Sequence, residues 1–221
     1  LGAYVSLYLR EEVQGEGLVR NVGDFARFLE VMSFSHGAQL NTAAVARECS
    51  VNRKTVEGHI SILEDLLLGF TVPVFTRRAQ RQVIQHPKFY FADAGVFQSL
   101  RPAGPLDSAE GIGGAALEGL VAQHLRAWIA YGSPECGLHF WRTKAGLEVD
   151  FVVYGPETLL ALEVKASATV QTKDVRSLRA FREDYPEARA CLLYGGRERI
   201  KVNEVLCVPV GDFLRNLLPG T

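Results

Sequence analysis

The sequence predicts an α+β chain in two parts, a small helical domain followed by an α/β domain on a mixed sheet. Three observations lead there. Apolar residues recur at helical spacing from about residue 22 to residue 67, whereas strand-like alternation dominates from about 139 to 208. Between them, residues 101–114 carry Pro102, Pro105 and four glycines, the composition of a linker. The chain has 221 residues and 48% hydrophobic content, enough for two small cores. The expected boundaries are 21–98 for the first domain, 99–114 for the linker and 115–221 for the second.

A net charge of −1 excludes a global field that would draw the chain to nucleic acid, so any basic footprint must be local. Cys49, Cys136, Cys191 and Cys207 lie far apart without a CxxC pair, which suits a reducing cytoplasm better than a disulfide frame or zinc site. No apolar run approaches the length of a membrane span, and no membrane partner is expected. The chain opens at Leu1 without methionine, and Ala3–Leu9 reads as the tail of an amphipathic helix. Residues 1–20 are therefore expected to end a preceding module.

In the first domain, Val22–Phe34 reads as a helix with Val22, Phe25, Phe28, Leu29 and Met32 on one face. Asn41 or Thr42 caps a short helix ending near Cys49-Ser50. Asn52 caps a longer one with Val56, Ile60, Leu63 and Leu67 inward. This is the pattern of a helix-turn-helix, with Arg53, Lys54 and Thr55 on the exposed first turn where base-edge contacts are made. Two apolar stretches, Val72–Phe75 and Phe89–Phe91, then flank a loop with Arg77, Arg78, Arg81 and Lys88 and no acid. That is the form of a wing, and its cations suit DNA phosphates. A helical hairpin used for packing and a solvated loop are the alternatives.

In the second domain, Leu147–Ala166 reads as two strands joined at Gly155–Thr158. A symmetric closure sets Asp150 opposite Glu163, and Glu148 opposite Lys165, all on one face. Two carboxylates so close require a proton, a cation or open water, and Mg²⁺ or Mn²⁺ fits the oxygen donors. Upstream, Ala115–Tyr131 reads as a helix whose Glu118 shares a stripe with Val121, Ala122 and Leu125. Arg142 falls opposite Glu148 and makes that acid a structural charge. A plain ion-pair patch remains the alternative for the whole face. Further on, Lys173–Arg182 forms a helix with Val175, Leu178 and Phe181 inward and Lys173, Arg176, Arg179 and Arg182 outward. No phosphate-loop signature follows Gly111-Ile112-Gly113-Gly114.

Glu118, Asp150 and Glu163-Val164-Lys165 together resemble the PD-(D/E)xK nuclease superfamily. The full chain resembles the C-terminal region of prokaryotic AAA-family ATPases, in which a winged helix precedes such a nuclease-like domain. The further motifs are Lys88–Gly95, Leu117–Val121, Arg142-Thr143-Lys144 and Glu148–Val152. The resemblance implies a restriction-endonuclease-like second domain, with Asp150, Glu163, the Val164 carbonyl and Glu118 about the metal and Lys165 beside it. It also implies an ATPase module in cis before Leu1, through which alone ATP would act, and duplex DNA as partner. An inert DNA- or protein-docking module is the second reading, and the oligomeric state stays open.

Overall fold

The computed structural model describes residues 19, 21–77 and 81–218. The helix tail at Ala3–Leu9, the rest of the expected preceding module apart from residue 19, and Arg78 lie outside them. The protein is an α+β chain with a three-stranded and a six-stranded sheet. It divides into two compact units, residues 1–71 with 86–119, and residues 72–85 with 120–221.

The first unit opens with α1 (Val22–Ser33), capped by Asn21, whose Oδ1 accepts from the N–H groups of Gly23 and Asp24. Phe25, Phe28, Leu29 and Met32 are its buried face, as the helical spacing requires. After β1 (Ala38–Gln39), α2 (Thr42–Cys49) is capped by Asn41. It ends at Ser50 in the left-handed conformation (φ 57°), with the Val51 N–H returning to the Ala46 carbonyl at 3.0 Å. Asn52 then caps α3 (Arg53–Asp65), which buries Val56, His59, Ile60 and Leu63. Leu67 departs from the expected inward face and is 75% exposed. The helix has already ended, and a positive φ of 57° at Leu67 turns the chain away. Strands β2 (Gly69–Val72) and β3 (Lys88–Phe91) complete the small sheet in the order β1-β3-β2. Asp93 caps α4 (Ala94–Leu100), accepting the Val96 N–H at 2.8 Å. The linker is shorter than its composition suggests, because α5 (Ala109–Gly132) starts inside it.

His36 is the polar centre of this unit. It is 6% exposed, stacks on Phe97 at 3.9 Å between ring centroids, and accepts the Phe91 N–H on Nδ1 at 3.0 Å. With Nδ1 accepting, Nε2 carries the proton and donates to the Ala115 carbonyl at 3.2 Å. Gly119 is required beside it, since a Cβ there would lie 2.4 Å from Nε2.

The second unit is built on a sheet in the order β4-β5-β6-β7-β9-β8, mixed as expected. Its strands are β4 (Gly137–Arg142), β5 (Glu148–Tyr154), β6 (Leu159–Lys165), β7 (Arg189–Tyr194), β8 (Ile200–Val202) and β9 (Val205–Pro209). Strands β6, β7 and β9 run parallel; the other neighbours are antiparallel. The turn Thr172–Val175 leads into α6 (Arg176–Asp184), whose Leu178 and Phe181 are fully buried against the sheet, and α7 (Val210–Asn216) closes the chain. Among the described residues no helix is long and apolar enough to cross a membrane, and all four cysteines are free and buried.

Residues 73–77 and 81–84 do not form a free wing in this structure. They run along β4: the Phe75 N–H donates to the Phe140 carbonyl at 2.6 Å, and the Ile84 N–H to that of Arg142 at 3.1 Å. Phe75 is 1% exposed within the second core. An unpaired edge strand and a buried aromatic side chain together outweigh the pull of a polar loop toward solvent.

Burial pulls the His36 pKa from 6.5 to about 4, against the smaller upward effect of the Ala115 bond. The unfolded chain therefore takes up a proton that the folded chain refuses. The contribution is complete above pH 6.5 and is lost as pH falls toward 4, on the order of 3 kcal/mol in all. Burial lowers His59 and His139 too, so they add in the same direction. Urea melts of the wild type between pH 7 and 5 should show stability falling with acid. His36→Phe should be less stable at pH 7 but flatter by up to about 1.4 kcal/mol per pH unit. Parallel curves would show that His36 carries none of the dependence.

Candidate functional site

The strand pair β5–β6 has the expected register, with Phe151 opposite Leu162 and Tyr154 opposite Leu159. The alternation assumed along β5 breaks at Asp150. From the His139–Val152 pair to the Trp141–Val149 pair, β4 advances from 139 to 141 while β5 runs from 152 back to 149. One extra residue sits in β5, so Leu147 and Val149 join the same core cluster as Val152 and Tyr154. The expectation that Glu148, Asp150, Glu163 and Lys165 all share one face by simple alternation is corrected by this bulge.

The bulge gives Asp150 a specific task. Its Oδ2 accepts the Val164 N–H at 2.8 Å, a bond that a strand carbonyl would otherwise supply. A strand N–H lies in the plane of the sheet, so the carboxylate sits in the gap between β5 and β6. Residue 164 is flanked by Glu163 and Lys165, and Lys165 Nζ donates to Glu163 Oε1 at 2.7 Å. Asp150 and Glu163 are each 7% exposed. Burial alone would lower the Lys165 pKa, but Glu163, Asp150 and Asp174 outweigh it and hold the ammonium above its ordinary value. The structure thus brings Asp150, Glu163, Val164 and Lys165 together. Arg142 pairs with Glu148 at 2.6 Å across the β4–β5 hairpin, as expected, whereas the ion pair of Lys165 is with Glu163.

Two contributors escape sequence reasoning. Asp174 acts on Lys165 from the turn before α6, and Ser177 Oγ accepts the Glu148 N–H at 3.3 Å. Their only sequence signal is membership of a helix next to the E-x-K strand, which does not say how that helix lies on the sheet.

Glu118 is placed in the first unit. There its Oε1 accepts from Lys88 Nζ at 3.0 Å and from the Tyr90 hydroxyl at 2.6 Å. Lys88, expected at the exposed basic loop, is 2% exposed in β3 because its side chain turns inward to that carboxylate. Arg81 is held by Asp184 and Glu183, both at 2.9 Å, and Arg77 lies over the Tyr154 ring at 4.8 Å. Of the recognition-helix set, Arg53 is exposed and pairs with Glu57 at 2.8 Å, Lys54 is exposed, and the Thr55 hydroxyl donates to the Asn52 cap.

Among the described residues no group of three or more His, Cys, Asp or Glu side chains is placed to hold a metal ion. Of the three acids, Glu118 belongs to the first unit and Asp150 and Glu163 to the second. What remains, two carboxylates and the Val164 carbonyl, is a hard oxygen set. It fits a Mg²⁺ or Mn²⁺ that keeps most of its water, since such ions commonly take one or two protein carboxylates.

Residues 113–213 match a family described as a domain of unknown function (DUF4143), and residues 1–107 match a second, also a domain of unknown function (DUF8612). No curated protein and no solved structure matches the chain.

The buried Lys88–Glu118 pair yields a test. Removing one partner of a buried ion pair is strongly destabilising, typically by about 3–5 kcal/mol, because the other charge is left behind. Lys88→Met should lower stability by about 3 kcal/mol in denaturant melts, and Lys88→Met with Glu118→Gln should recover much of it. A phosphate-contacting Lys88 would instead leave stability unchanged and weaken DNA binding alone.

Proposed function

We propose that the chain is a DNA-binding protein whose second unit carries a metal-dependent, nuclease-like site for phosphodiester hydrolysis. The observation that carries the reading is the meeting of Asp150, Glu163 and Lys165 around Val164 at the bulge in β5. Asp150, Glu163 and the Val164 carbonyl would hold Mg²⁺ or Mn²⁺. When bound, the ion would lower the pKa of a coordinated water and offset charge on the scissile phosphate. Lys165, kept protonated by its acidic neighbours, would face that charge as a cation. The bond from the Val164 N–H fixes the Asp150 carboxylate in the gap between the strands.

For the first unit we propose a helix-turn-helix with the element order of a winged helix, which docks on duplex DNA through α3 rather than through a free wing. The order α1-β1-α2-α3-β2-β3 supports it, as does the exposed start of α3 with Arg53 and Lys54. Resemblance to AAA-family ATPase C-terminal regions suggests an ATPase module in cis and a cytoplasmic setting, which four reduced cysteines suit. An inert docking module is the second reading. It is favoured by one observation, that the Lys165 ammonium already occupies Glu163 Oε1.

Two measurements separate these readings. A divalent ion at a hundred times its Kd should stabilise by about 2.7 kcal/mol, a Tm rise of roughly 5–10 °C for a domain of this size. Asp150→Asn should remove most of that rise, together with nicking of plasmid DNA in Mg²⁺ or Mn²⁺. An inert module gives neither effect. For docking, Arg53→Gln with Lys54→Gln should weaken duplex binding and reduce the log–log salt slope by up to about 0.9 for each lost phosphate contact. An unchanged slope moves the DNA surface away from α3.

A further inference from the structure

We propose that the outward face of α6 is a second nucleic-acid surface, a phosphate-backbone track made by Arg176, Arg179 and Arg182 that leads to the Lys165 site. The proposal rests on the reading of the second unit as nuclease-like, and it adds where that unit holds its substrate. The three arginines recur every third residue of one short helix, and all are exposed. Lys173 precedes them on the turn before α6 and is exposed as well. At 1.5 Å rise per residue, successive guanidinium groups start about 4.5 Å apart along the axis. Their long side chains can spread from there to neighbouring phosphates.

The acids around this face do not cancel it. Glu183 and Asp184 are taken by Arg81, at 2.9 Å each. Glu204, which shares a shallow groove of about 560 Å³ with Arg179 and Arg182, is bonded by Lys201 at 2.6 Å. Arg182 acts on Glu204 only at longer range. Among the described residues no acid forms an ion pair with Arg176, Arg179 or Arg182. The net field of the face is therefore positive although the whole chain carries −1.

Direction comes from the start of the helix. Asp174, two residues before Arg176, acts on Lys165, and Ser177 accepts the Glu148 N–H at the head of β5. The first turn of α6 is thus fixed beside the strand that carries Asp150. A backbone lying along the arginines arrives there. The occupant is nucleic acid rather than a membrane, because the face offers no exposed large apolar side chain for insertion. Among the described residues the exposed large apolar ones are Phe34, Leu67, Leu106, Tyr131, Leu206 and Leu218, none of them on α6. Guanidinium forks also match phosphate oxygens in pairs.

The test uses the full chain, a fluorescent 30-base-pair duplex and anisotropy titrations over a salt series. Arg176→Gln, Arg179→Gln and Arg182→Gln combined should weaken binding roughly tenfold or more and reduce the log–log salt slope by about 2–3. Replacement of the same three by lysine should keep most of the slope, and thermal melts should match wild type because the positions are exposed. An unchanged affinity and slope in the glutamine variant would overturn the track. So would loss of binding to phosphatidylserine vesicles with DNA binding intact, which would assign the face to a membrane. Failure of the nuclease reading looks different: no Mg²⁺- or Mn²⁺-dependent Tm rise or nicking in wild type, whatever the arginines do.

Discussion

The hydrogen bond from the Val164 N–H to Asp150 Oδ2 is the constraint on which the site in the second unit depends. Strand β5 carries one residue more than its neighbour β4, and the ladder to β6 is regular only up to the Phe151–Leu162 pair. Beyond that pair the Val164 N–H needs an acceptor, since a buried unsatisfied donor costs about 1–3 kcal/mol. A carboxylate is a stronger acceptor than a carbonyl and brings a charge with it. The bulge and the acid therefore support each other. The acid satisfies the N–H that the bulge exposes, and the bulge holds the acid where an alternating strand would have turned it into the core or out to solvent.

A second constraint acts at the other edge of the pair. Strand β4 is an edge strand, and residues 73–77 and 81–84 cover it with backbone bonds to Phe140, Arg142 and Lys144. Phe75 anchors the cover in a cluster with Phe181 and Tyr185, while Arg81 ties it to the end of α6. The stretch that the polar sequence marks as a loop is thereby part of the second core. A family boundary near residue 107–113 and the physical boundary of the unit are not the same line. The family boundary follows the order of the chain, and the unit boundary follows what packs together.

The legible parts of the sequence were those governed by local rules. Asn21, Asn41, Asn52 and Asp93 each accept a backbone N–H at a helix start, and α1, α3 and α6 bury most of the residues their spacing selects, Leu67 apart. The β5–β6 register and the Arg142–Glu148 pair follow from turn geometry. What failed depended on distant parts of the chain. Lys88 reads as a basic loop residue until Glu118, 30 residues on, is known to receive it. Arg81 finds its acids more than 100 residues later, at Glu183 and Asp184. Bulges are equally hidden, because one extra residue in a strand of Val, Phe and Asp changes no composition and no propensity.

The same long-range charge balance sets the terms on which a metal could enter. Glu163 Oε1 is held by the Lys165 ammonium, and Lys165 is kept charged by Glu163, Asp150 and Asp174. A divalent cation approaching the two carboxylates meets that ammonium as a like charge, so ion and Lys165 compete for Glu163. The competition is uneven. Lys165 is partly exposed on a flexible stem, whereas Asp150 is fixed by a backbone bond. The ammonium can withdraw toward solvent without disturbing the strands, and Asp150 cannot follow it. If a metal binds as proposed, its affinity and the position of Lys165 would be coupled, and the ammonium displaced from Glu163 would be left at the rim, where a phosphate would bring the next negative charge.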